Sequence, residues 1–255
     1  MIRRFRQQTR KHTNLNDLAF MPGTLGTLAT EVLSDHSSNA NCYHLVNAYT
    51  IVEAFKNEDL YQILMKDTLL CDGKPLSYFL GKRNQGIQQI RGADFMREVL
   101  LKSDNTGRHY FLGSTEEVLA NLIKAVQRLN PKVNIAGFHS PAFQSDYQAL
   151  IPAWVNLIRE SEASIVWIGL GTPKQDFVSH EISKLISGNI LAVGAAFDYL
   201  AGNVSESPKI FQLLYLEWLW RLMKEPRRLV GRYIIGNTKF IHILMQQIIK
   251  DKIKK

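Results

Sequence analysis

Short apolar runs and stretches of helical period alternate along most of the chain. His44-Leu45-Val46-Asn47 reads as a buried strand, and Ile51, Val52, Phe55, Leu60, Ile63 and Leu64 then recur at helical spacing. Leu69-Leu70-Cys71 is a second apolar run, closed by Asp72-Gly73. His109 to Ser114 predicts another strand, with Ser114 as helix N-cap and Glu117 at the capping-box spacing for a helix that stops at Asn130-Pro131. Val133 to Gly137 is strand-like, and a helix is expected from about Ser145 to Glu160. Ile165 to Gly171 and Ile190 to Gly194 are apolar throughout and end in glycine, with a helix running toward Leu185 between them. Strands alternating with helices predict an α/β fold with a mostly parallel sheet covered by helices.

The flanks differ from this pattern. Residues 1–41 are rich in Thr, Asn, Ser and Leu without a sustained period, and read as a loosely structured N-terminal arm. The core is expected over 42–208. After Pro208 an aromatic and aliphatic amphipathic run leads through Glu225-Pro226-Arg227-Arg228 into an apolar-basic helix, so 209–255 reads as a helical appendage. Charge sharpens that division: the ten Lys and Arg of 221–255 face only Glu225 and Asp251, a net +8 that equals the net charge of the whole chain. With 45% hydrophobic and 21% charged residues, the 255-residue chain is neither disordered nor collagen-like. Cys42 and Cys71 are too few for a disulfide scaffold, which points to a reducing compartment, the cytoplasm. No apolar stretch approaches a membrane span, and the basic N-terminus lacks the apolar segment of a signal peptide.

Candidate chemistry collects at strand ends, where open α/β sheets bind ligands. In Gly169-Leu170-Gly171-Thr172-Pro173-Lys174-Gln175-Asp176, two glycines and a proline open a helix, a geometry that suits a phosphate or is simply a tight turn. It is neither GxGxxG nor a Walker loop, which weighs against an NAD-type oxidoreductase and an NTPase. Asp72 emerges from an apolar strand and is a candidate general base, with a turn-forming Asp-Gly as the plain alternative. Asp94 and Asp198 read as helix N-caps. Gly113 and Gly194 also lie at strand ends. The seven histidines have no metal-ligating spacing, and no serine has a nucleophile-elbow context, so neither a metal site nor a triad hydrolase is expected. The tail charges alternate with Trp218, Trp220 and aliphatic residues, which fits an anionic membrane surface at least as well as nucleic acid, with an ordinary core helix as the remaining reading.

Taken together, Val46-Asn47-Ala48, Cys71-Asp72-Gly73, Gly92-Ala93-Asp94-Phe95, Phe111-Leu112-Gly113, the Gly169 to Asp176 run, Val193 to Gly202, and Leu216 to Leu222 with Glu225 to Leu229 resemble the WecG/TagA/CpsF glycosyltransferase family, glycosyltransferase family 26, in that family's order. The resemblance implies a Rossmann-like core and metal-independent, inverting transfer of a sugar, typically of N-acetylmannosamine type, from a UDP-sugar to a polyprenyl-diphosphate-linked acceptor in surface polysaccharide or wall polymer synthesis. It implies Asp72 as the base and Asn47 in the same pocket. Gly171, Thr172, Pro173 and Gln175 would hold the UDP diphosphate and its sugar, and Gly194, Phe197 and Asp198 would line the nucleotide site, with Asp94 and Gly113 among the binding residues. Arg221 and Arg228, with Arg232 nearby, would close over the diphosphate without a cofactor. Leu45, Tyr49, Gln89 and Gly231 stand where relatives often carry other residues. The expected setting is peripheral, on the inner face of the cytoplasmic membrane, with the appendage displaced in the free protein and docking over the site at the membrane. No nucleic-acid partner is expected, and a homo-oligomer is compatible with the sequence.

Overall fold

The computed structural model describes residues 13–34, 40–82, 84, 86–142, 147–208, 211, 217–224 and 226–253. Six strands, β1 (Asn41–Val46), β2 (Thr68–Cys71), β3 (Arg108–Gly113), β4 (Asn134–His139), β5 (Ile165–Gly169) and β6 (Asn189–Ala192), form one sheet in the order β2-β1-β6-β5-β3-β4. Every pairing is parallel. The predicted α/β class is therefore the observed one, and successive side chains of each strand enter opposite apolar layers. Phe111, Trp167 and Leu191 pack toward α5 (Gly92–Lys102) and α6 (Glu116–Leu129). Their neighbours Tyr110, Leu112, Val166, Ile168 and Ile190 pack toward α7 (Ile151–Glu160) and α8 (Lys174–Ser183).

Local chemistry moves several expected boundaries. The apolar run after β1 is two helices, α2 (Ala48–Ala54) and α3 (Glu58–Lys66), because Asn57 Oδ1 accepts the amides of Asp59 at 3.0 Å and Leu60 at 3.2 Å and starts a new helix. Ser114 is not the cap of α6: it takes a left-handed φ of 59°, and Thr115 caps the helix by accepting from Val118 N at 3.3 Å. Asp94 and Asp198 are not caps either, since each lies inside the first turn of its helix, α5 and α9 (Ala196–Leu200). The helix expected from Ser145 begins as a short 3-10 turn at Gln148, and residues 143–146 are outside the described set.

The N-terminal reading also needs correction. Residues 1–12 and 35–39 lie outside the described residues, but between them α1 (Leu25–Ser34) and the segment before it are built into the core. Leu15, Leu18, Phe20, Leu28, Ala29 and Val32 are buried, and Met21 N donates to Leu69 O at 2.8 Å. A loose arm would leave these apolar groups in water.

The C-terminal appendage is helical, with α10 (Glu217–Lys224) and α11 (Pro226–Ile253). It is docked rather than displaced: Phe240 is buried in the cluster beneath α2, α3 and α4 (Lys74–Gly81), and Leu15 N donates to Gln247 Oε1 at 3.2 Å. No helix among the described residues is long and apolar enough to cross a membrane.

Candidate active site

Parallel pairing places the carboxyl ends of β1 and β2 side by side, with Val46 opposite Cys71. Asn47 and Asp72, the residues that follow, therefore emerge together, and Asp72 N donates to Val46 O at 2.8 Å. Asn47 caps α2: its Oδ1 accepts from Tyr49 N at 3.0 Å and Thr50 N at 3.2 Å, which leaves the Nδ2 group to donate outward. Both side chains line a cleft of about 680 Å³.

Across that cleft stand the turns after β5 and β6. Gly171 and Gly194 have φ of +77° and +58°, backbone conformations that suit glycine. A Cβ on Gly171 would meet nothing within 4 Å, so its backbone faces open space. Gly171 N donates to Gln175 Oε1 at 3.0 Å, and a Cβ on Gly194 would come within 3.1 Å of that same oxygen. One amide side chain thus holds the first glycine turn and lies close to the second.

Four helices begin at the cleft without a side-chain cap: α4 after Gly73, α5 after Arg91, α8 after Pro173 and α9 after Ala195. Their first-turn N–H groups and the positive ends of their dipoles favour an anion in the space between. Lys74 and Arg91 add positive charge to the wall, and Asp72 and Asp198 add negative charge. Arg91 Nη1 also donates to Asp94 Oδ2 at 3.0 Å.

Of the residues expected from sequence, Asn47, Asp72, Gly171, Thr172, Gln175, Gly194 and Asp198 line this cleft. Others do not. Asp94 stands behind Arg91 as its ion-pair partner. Gly113 packs on β5, where a Cβ would lie 2.5 Å from Gly169 O. Phe197 is fully buried against Phe111, with ring centroids 6.1 Å apart, and belongs to the core. Pro173 follows a cis bond and stands at the N-cap of α8, behind the lining residues Thr172 and Gln175. Arg221, Arg228 and Arg232 fall on α10 and α11, and their side chains lie outside the described residues.

Lys74, Arg91, Tyr199, Asn237, Phe240 and Ile241 also line the cleft and were not expected there. Lys74 and Arg91 sit beside recognisable strand-end and Gly-x-Asp elements, so their position was a usable signal. Asn237, Phe240 and Ile241 come from α11, brought over the cleft by packing on α2, and nothing in their local sequence marks it. Leu45, Tyr49 and Gln89, three of the positions that depart from the family pattern, all face this space.

One group among the described residues offers ligand atoms for a metal, Cys42, His44 and Asp67, with those atoms within 4.8 Å of one another. It is bonded to Asp176 of α8 through His44, and none of the three lines the cleft.

The model of the glycosyl transferase WecG/TagA/CpsF family matches residues 14–254. An N-acetylglucosaminyldiphosphoundecaprenol N-acetyl-beta-D-mannosaminyltransferase of Bacillus spizizenii is 28% identical over 240 residues, covering 91% of this chain and 90% of the relative.

Proposed function

Because the chain belongs to the WecG/TagA/CpsF family of glycosyl transferases, we propose that this glycosyltransferase moves an N-acetylmannosamine-type sugar from a UDP-sugar to a polyprenyl-diphosphate-linked acceptor. The chemistry of the Bacillus relative supports the acceptor class and the sugar. The observation that carries the reading is the cleft itself: a strand-end carboxylate, Asp72, faces two glycine turns and four uncapped helix N-termini.

In this mechanism the donor diphosphate lies against the Gly171–Gln175 turn, and Gly194 with Asp198 lines the nucleotide side. Asp72 accepts the proton of the acceptor hydroxyl as its oxygen attacks the anomeric carbon. The new C–O bond forms on the face opposite the breaking bond to the diphosphate oxygen, so the anomeric centre inverts and UDP departs. The helix N-termini, Lys74 and Arg91, joined by the arginines of α10 and α11, stabilise the charge on the leaving group, the role a divalent cation fills elsewhere. Metal independence follows as an expectation of this arrangement.

The acceptor is a membrane lipid, and α11 carries a matching surface. Ile241, Met245, Ile248, Ile249 and Ile253 are exposed along it, with Lys250 and Lys252 in its last turn. Such a face suits anionic lipid, which supports a peripheral position on the inner face of the cytoplasmic membrane.

The test is UDP release by purified protein with a short-chain polyprenyl-diphosphate-GlcNAc acceptor and a panel of UDP-sugars, with and without EDTA, beside Asp72→Asn. Acceptor-dependent release that survives EDTA and disappears in the variant is the expected result. Release abolished by EDTA, or retained in Asp72→Asn, would overturn the metal-free mechanism or the base respectively.

A further inference from the structure

Beneath the donor turn, between β1, α3 and α8, a polar cluster interrupts the apolar layer. His44 is fully buried. Its Nδ1 lies 2.9 Å from Asp176 Oδ1 and its Nε2 lies 2.9 Å from Asp67 Oδ2. His180 Nδ1 is 2.8 Å from the same Asp67 oxygen, and Cys42 Sγ is 3.3 Å from His44 Nε2. Ionised carboxylates only accept, so a ring that faces one through each nitrogen donates to both only as an imidazolium. A neutral ring would set a nitrogen lone pair against one of the carboxylates.

A further observation defines the cluster. The Asp176 bond to His44 is the only side-chain hydrogen bond of that carboxylate among the described residues, and Asp176 Oδ2 is buried without a partner.

The connection to the cleft is one residue long. Asp176 directly follows Gln175, whose Oε1 holds Gly171 N and abuts Gly194. We propose that His44 is a positioning residue for the glycosyl donor: its imidazolium clamps Asp176 to β1 and so holds the Gly171–Gln175 turn in the geometry that receives the diphosphate. The proposal rests on the reading of that turn as the diphosphate seat.

The charged state fits the surroundings. Burial by itself disfavours the imidazolium, but the thiol of Cys42 and the bonds to Asp176 and Asp67 outweigh it and raise His44 well above the ordinary histidine value. Burial likewise raises Asp67, and the bonds from His180 and His44 more than reverse this, holding it below the usual carboxylate range. The titratable groups in the cluster around His44 are Cys42 on its own strand, Asp67 at the junction of α3 and β2, and Asp176 and His180 on α8.

The experiment measures UDP binding by calorimetry, and donor KM and kcat, in wild type and variants, with thermal stability followed in parallel. His44→Gln should bind UDP about tenfold more weakly and raise donor KM rather than lower kcat at saturating donor. Asp176→Asn keeps the side-chain shape and should show the same split if His44→Gln does not fold. Variants that lose stability yet bind UDP as wild type does would overturn the positioning role. Stoichiometric zinc in the purified protein, lost in Cys42→Ser, would also overturn it. Wild type that binds no UDP would overturn the diphosphate seat, and this proposal with it.

Discussion

Replacing each of the two cleft glycines by alanine separates what the turns do for the fold from what they do for the donor. Gly171 and Gly194 both have left-handed backbones, at φ +77° and +58°. Alanine in that region costs about 1–2 kcal/mol, partly offset by about 0.4–1 kcal/mol from the stiffer unfolded chain. Gly171→Ala meets no atom within 4 Å, so its net cost should stay near 1 kcal/mol. Gly194→Ala puts a methyl 3.1 Å from Gln175 Oε1, the atom that accepts from Gly171 N. Displacing that amide forfeits a hydrogen bond of about 1 kcal/mol, so the total should be about 2 kcal/mol. Binding should rank the other way at the first position, because the Gly171 methyl projects into the space assigned to the diphosphate. Urea unfolding gives the stabilities and calorimetry with UDP gives the affinities. A Gly194→Ala variant no less stable than Gly171→Ala, or a Gly171→Ala variant that binds UDP as wild type does, would refute these roles of the two turns.

Other outcomes follow from the same geometry. Asp72→Asn should lower kcat by about 10²–10⁴ with donor affinity nearly unchanged, read in steady-state kinetics. Burial holds His109 down to about 4, and Trp167 Nε1 donates to its Nδ1 at 3.0 Å. A lowered folded value means the unfolded chain binds the extra proton, so stability should fall as pH drops from about 6.5 toward 4, by about 3 kcal/mol in all. Urea midpoints at pH 7 and pH 5 should show this loss in wild type and less of it in His109→Gln. Phe240→Ala, at a position 2% exposed, should cost about 3 kcal/mol and loosen α11, which limited proteolysis would detect. Serine at Ile241, Met245 and Ile249, each more than half exposed, should leave the melting temperature unchanged and weaken binding to anionic liposomes.

Much of the core was legible because each strand carries its own signature. Ile165 to Ile168 and Ile190 to Val193 are apolar on both faces, as strands of a doubly covered sheet must be. The N-terminal segment was not legible. Leu15, Leu18 and Phe20 show no period, and they are buried because β2 and α11 offer them a surface, through the Met21 to Leu69 bond and the Leu15 to Gln247 bond. Ser114 and Thr115 both satisfy the chemistry of a helix cap, and the backbone turn out of β3 chose between them.

The candidate site divides along the same line. Asp72 and the Gly171 turn could be located in the chain because a carboxylate or a glycine at the end of an apolar run is a local fact. That Asn47 stands beside Asp72 depends on the register of β1 with β2, and that Phe197 is core rather than lining depends on where Phe111 lies. The sequence by itself determined the alternation of strands and helices, the strand ends that bear chemistry, and the basic apolar character of the last helix. Only the tertiary structure decided that α11 roofs the cleft and that His44 is buried between Asp67 and Asp176. Those contacts join residues 23 and 132 positions apart in the histidine cluster, and no local pattern records them, because the strand order and helix packing that bring them together are properties of the whole chain.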